Sequence, residues 1–296
     1  MFWFRKRATE AAQAVTAVGV LPLELPVDLD PAAFQRHFDA LQAATARDGG
    51  IESYLAALDA KRELFVAART SAQSAAPGLD ETIRLLATVF TARRKLYPAL
   101  ETLGEDRTSA LMTALWFGTE SAGVRLQQFV DAMPGAVDSD RASVKAAAKL
   151  RRAAWDFAAE ALHYAEAEHY PLMSRWVWDQ ATQSGALREF VRGGDAMREV
   201  PFSNDPGIYE GARRWLAEQL AAQGVYREEV LWIDLVQAQA YLVYFRSMTE
   251  GSLGADFGRG VPPDEQLKRL LGIDAEPGAR TDRVRRPAAA THTGIH

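Results

Sequence analysis

The chain contains no cysteine. That excludes disulfides, a thiolate nucleophile, iron–sulfur clusters and zinc sites built on cysteine, and it fits a reducing compartment. Histidine is scarce as well: His37, His163 and His169 lie in the body of the sequence and His292 and His296 at its end. Positive charge is not in excess, with a net charge of -5 and a sequence pI near 5.7, so the overall field does not favour nucleic-acid phosphates and no nucleic-acid partner is expected. Neither a GxxxxGK[ST] phosphate loop nor a GxGxxG after a strand occurs. GSLG at 251–254 has the wrong glycine spacing for a nucleophile elbow, and GADFGRG at 254–260 lacks the flanking strand and helix of a nucleotide cradle.

What is present is ordinary globular material: 296 residues, 48% hydrophobic and 25% charged, enough for one large core without a covalent staple. Almost every periodic stretch between 30 and 272 has a helical period and none alternates as a half-buried strand does, so the fold class is all-α. Asp30 before Pro31 and Asp205 before Pro206 mark two helix starts. The pattern predicts helices at 31–47, 51–75, 80–103, 106–133, 140–169, 172–192 with a break, 206–223, 226–250 and 263–271, separated by Gly and Pro stops. Short connections make antiparallel neighbours of them. The expected architecture is a multi-helix bundle of antiparallel hairpins around a buried apolar C-terminal helix at about 226–250, forming one domain over 30–272.

Residues 92–115 and 212–235 share the frame ARRxLxxxLxxxGxxRxxxLxxxL, as two helical hairpins each ending its first helix at glycine would. A composition this rich in Ala, Arg and Leu also matches itself by coincidence. The aperiodic stretch 191–207 reads as a binding loop or a plain crossover.

The ends are distinctive. Phe2, Trp3 and Phe4 precede Arg5, Lys6 and Arg7, a combination that sets aromatics beside anionic headgroups at a membrane surface. The order of basic then apolar residues resembles a signal peptide, but Glu10, Gln13 and Thr16 interrupt the run, which favours a cytoplasmic protein, peripheral at the inner face of a membrane. Residues 273–296 are nearly devoid of large apolar side chains and include Arg280, Arg283, Arg285 and Arg286, a composition that predicts a disordered basic tail.

EALHYAEAEHYP, 160–171, contains two Glu-x-x-His pairs, the spacing with which helical bundles aim ligands at metal ions. A helical wheel gathers Leu150, Ala154, Ala158, Leu162, Ala165 and His169 on the apolar side and turns Asp156, Glu160 and His163 away, toward solvent. Glu160, His163 and His169 are the metal candidates, for a divalent ion or iron, although the second Glu-x-x-His and the extra glutamates of a dinuclear bundle are missing. Within the apolar helix VLWIDLVQAQAYLVYF, Asp234 and Gln237 need partners, Arg93 or Arg94 for the carboxylate. With Glu120, Trp116 and Tyr241, and with Trp232 and Phe245 as further walls, they form a candidate ligand pocket. Two functions are therefore expected: a helical binding or accessory protein docking a protein partner or membrane through its termini, without cofactor, or a small-molecule-binding or metal-dependent bundle enzyme using that pocket.

Overall fold

The computed structural model describes residues 24–46, 49–249 and 261–274. The aromatic and basic residues Phe2 to Arg7 and the tail beyond Asp274 lie outside the described residues. Among the described residues there are nine α-helices and no strand: α1 (Pro31–Thr45), α2 (Gly50–Ser71), α3 (Leu79–Leu86), α4 (Arg93–Phe117), α5 (Ala122–Asp131), α6 (Arg141–Ala165), α7 (Pro206–Ala222), α8 (Glu229–Thr249) and α9 (Pro263–Leu271). The all-α bundle is as the periodicity predicts.

Local chemistry explains the starts. Asp30 accepts from Ala32 N at 3.1 Å ahead of Pro31, Asp205 accepts from Gly207 N at 2.7 Å ahead of Pro206, and Asp140 accepts from both Ala142 N and Ser143 N. Each side chain satisfies amides that the first turn leaves without a partner. On α5 the buried residues Ala122, Arg125, Leu126, Phe129 and Val130 form one stripe at helical spacing.

The core has two central helices. Residues 230–240 of α8 are buried on every side, packed by α1, α2, α7, α9 and the loop turn at 186–190. The C-terminal half of α6 lies against α2, α4 and α5 and is buried from Ala153 to Ala165 except for the half-buried Trp155. One cluster of buried side chains runs from Leu29 to Ile273.

One of the expected helices is corrected, and two open readings are narrowed. No α-helix occupies 172–192: after Pro171 the chain runs in turns with two short 3-10 segments, Ala186–Phe190 and Gly194–Ala196. Trp176, Val177 and Trp178 are consecutive and all buried, which a helix with one buried face cannot achieve. Gly185 passes close to the Val177 carbonyl at φ 132°, a geometry that excludes a Cβ. The stretch 191–207 is fastened, with Val200 N bonded to Gln183 Oε1 at 2.8 Å and the Arg188 guanidinium held by the carbonyls of Gln183, Gly194 and Met197. The similar frames at 92–115 and 212–235 adopt different geometries. Gly104 (φ 77°, ψ -179°) kinks a single α4, whereas Gly224 follows the end of α7 and leads into a turn before α8.

Candidate functional site

α6 carries Asp156, Glu160, His163 and Tyr164 at i, i+4, i+7 and i+8, one stripe along the helix. The wheel turns this stripe to water; the structure buries it, leaving Asp156 4%, Glu160 2% and His163 1% exposed. Helix periodicity identifies a polar stripe but not what covers it. Here the cover comes from polar groups distant in sequence, on α2, α8 and the segment after Pro171.

Lys61 of α2 meets Glu160. Its Nζ donates to Glu160 Oε2 at 2.6 Å and to the Leu271 carbonyl oxygen at 2.8 Å, and sits 4.3 Å from the centre of the Tyr164 ring. Burial pushes the Glu160 carboxyl up from its ordinary range, and the Lys61 ammonium holds it back. The sequence carries a signal for Lys61: Tyr54, Leu58, Lys61, Phe65 and Ala68 form one helical stripe, with a lysine among apolar residues.

His163 bridges two elements. Nδ1 lies 2.7 Å from the Tyr170 carbonyl oxygen and Nε2 lies 3.0 Å from Asp234 Oδ2. A carbonyl only accepts, so Nδ1 carries a proton; one further proton is shared between Nε2 and the carboxylate. The pair is neutral overall whichever partner holds that proton. Burial, together with the nearby Asp234 and Glu160 charges, raises the Tyr164 hydroxyl well above the usual phenol range. Asp234 is thus partnered by His163, while Arg93 reaches the Ala87 carbonyl and lies 4.0 Å from Asp274, and Arg94 is exposed.

At the other end of the stripe Asp156 accepts from Arg175 N at 3.0 Å, and the Arg175 guanidinium clasps Asp179 at 2.6 Å with Asp156 Oδ2 3.9 Å away. Burial raises the Asp156 carboxyl to about 6 against the pull of Arg175.

The expected ligand pocket does not assemble. Glu120 is exposed in the α4–α5 turn. Trp116 donates through Nε1 to the Ala161 carbonyl at 2.9 Å, Trp232 stacks on Phe38, and Tyr241 packs among Trp176, Tyr244 and Phe245. Gln237, three residues after Asp234 on α8, is buried, with its amide oxygen unbonded among the described residues. A groove of about 410 Å³ lies elsewhere, on the surface between the segment leading into α1 and helix α7, where Leu25, Val27, Leu29 and Trp215 meet Arg214 and Glu218.

The metal expectation is also corrected. Glu160 and His163 are near one another, but Lys61 occupies the position beside Glu160 that a cation would take, and both His163 nitrogens are engaged. His169 is exposed past the end of α6. Among the described residues no group of three or more His, Cys, Asp or Glu side chains could hold a metal ion.

Nor, among the described residues, is any helix long and apolar enough to cross a membrane. The chain matches no known family model, characterised protein or solved structure. The fold and the site define an all-α bundle with a buried polar stripe held by ion pairs and hydrogen bonds.

Proposed function

We propose that the chain is a helical binding or accessory protein, docking a protein partner and reaching an anionic membrane surface through its N-terminal Phe2–Arg7 segment. One observation carries this reading: three pairs of ionisable side chains in the core are spent on one another, Lys61 on Glu160, His163 on Asp234 and Arg175 on Asp179. Groups tied up in this way, at 0–8% side-chain exposure apart from Arg175 and its 28%, serve packing specificity better than turnover. The features that can meet a partner are peripheral. Three aromatics beside three basic residues open the sequence, and the groove with Trp215 is lined by described residues between Glu24 and Pro31 that lead into α1.

Co-sedimentation of the full chain with phosphatidylglycerol-containing vesicles tests the membrane half of the reading. Binding that weakens with salt and disappears in a Phe2→Ser, Trp3→Ser, Phe4→Ser variant is the expected outcome. A parent chain that stays in the supernatant at low salt contradicts it.

A further inference from the structure

The first half of α6 stands apart from the rest of the helix. No residue from Arg141 to Arg152 is buried, whereas burial is nearly continuous from Ala153 onward. Its charges are of one sign: Arg141, Lys145, Lys149, Arg151 and Arg152, with no carboxylate among them. Arg151 is held by Asp131 and by the Val130 carbonyl. The other four are exposed, and none of them pairs with a carboxylate among the described residues. With about 3.6 residues per turn, positions 141, 145, 149 and 152 share an arc of about 80°. They form a cationic stripe along the solvent side of the helix.

Composition does not account for this stripe, because the chain as a whole carries a net charge of -5. Nor does helix stability. Arg141 opens α6 at the end where the backbone dipole favours a negative charge, and no acidic residue occupies the first turn. Asp140, the cap, spends its carboxylate on the amides of Ala142 and Ser143. At the same end of the helix, the preceding loop carries Val137, at 92% the most exposed large apolar side chain among the described residues, and Val144, at i+3 from Arg141, is 51% exposed. The loop is pinned there: the amides of Val137 and Asp138 donate to Ser143 Oγ at 3.0 and 3.1 Å. A solvated face needs neither a run of cations without carboxylates nor an apolar side chain fixed at its edge.

We infer that the start of α6 and the loop before it form a second membrane-contact face, with Arg141, Lys145, Lys149 and Arg152 set against anionic headgroup phosphates and Val137 entering the headgroup layer. The inference rests on the membrane half of the reading above and adds an orientation: the bundle meets the bilayer with the N-terminal end of α6. An apolar tip among cations matches the apolar layer beneath lipid phosphates, which a soluble polyanion lacks.

Because the chain has no cysteine, Val137→Cys gives a single site for an environment-sensitive fluorophore on the full chain. Tyr226→Cys, at a residue 76% exposed in the turn before α8, is the comparison. Phosphatidylglycerol vesicles are expected to shift the label at 137 to the blue and to leave the label at 226 in water. Lys145→Gln with Lys149→Gln should weaken vesicle binding about thirtyfold, roughly fivefold for each charge removed, with an unchanged circular dichroism spectrum. A chain that sediments with vesicles while the label at 137 stays in water, or while the double variant binds as the parent does, overturns the inference and leaves the Phe2–Arg7 contact standing. Equal shifts at 137 and 226 overturn the orientation, and binding to soluble polyglutamate without a shift on vesicles overturns the lipid in favour of an acidic partner. A shift at 137 that persists in the Phe2→Ser, Trp3→Ser, Phe4→Ser variant supports this face and refutes the N-terminal contact. A parent that stays in the supernatant at low salt overturns both.

Discussion

At the scale of single residues, the core places charges where apolar side chains would ordinarily go, and the cost becomes visible when one partner is removed. Glu160→Leu removes the carboxylate 2.6 Å from Lys61, a lysine buried at 0% side-chain exposure. The expected loss is about 3–5 kcal/mol, read by urea denaturation. Lys61→Met with Glu160→Leu removes both charges and should recover most of that loss; a double variant as unstable as the single one would show that the pair does more than neutralise itself.

Two other buried groups shift in opposite directions and contribute to the acid behaviour. Asp156 has its carboxyl raised from 3.8 to about 6 by burial. Between those values the folded state binds the extra proton, so stability falls as pH rises through that window, in total by roughly 3 kcal/mol. His37, buried beside Phe190 and Arg36, is lowered from 6.5 to about 4. Its neighbour Glu189 lies 3.7 Å away, but burial keeps the imidazole neutral at neutral pH, so the contact is not an ion pair there. For His37 the unfolded state binds the extra proton, and stability rises with pH across nearly the same window. The two slopes oppose one another in the parent. Asp156→Asn should unmask a steeper loss on acidification and His37→Asn the reverse, measured as denaturation midpoints from pH 4 to 6.5. Parallel profiles for the two variants would contradict the assignment.

At the scale of elements, the helix starts were legible because they depend on adjacent residues: Asp30 with Pro31 and Asp205 with Pro206 carry their own capping chemistry. α8 was legible from its all-round apolarity. The polar stripe of α6 was read the wrong way because an isolated wheel assigns polar residues to water, and nothing local reveals that Lys61, Asp234 and Arg175 arrive from elsewhere to satisfy them. The only sequence signal was the complementary one, Lys61 and Asp234 each set within apolar stripes. The segment 172–192 failed for a different reason. Its aromatic and branched residues are apolar enough for a buried helix, but their burial is consecutive, and Gly185 bends the chain onto Val177. Gly104 offers an element-scale test. Its φ of 77° and ψ of -179° belong to a region open essentially to glycine, so Gly104→Ala should straighten or strain the α4 kink at a cost of about 1–3 kcal/mol. A thermal midpoint unchanged from the parent would mean that the kink relaxes without penalty.

At the scale of the whole molecule, the separation between a closed interior and informative ends is what distinguishes a binder from an enzyme in this account. The interior array would have to open for chemistry, whereas a membrane or partner contact at Phe2–Arg7 requires no access to His163 or Asp234. Vesicle sedimentation of three full-length chains tests this separation most directly: the parent, Phe2→Ser with Trp3→Ser and Phe4→Ser, and His163→Leu with Asp234→Leu. The parent and the folded core variant are expected to bind phosphatidylglycerol vesicles alike while the aromatic variant does not. Binding that survives loss of the aromatics but vanishes with the His163–Asp234 pair would contradict it.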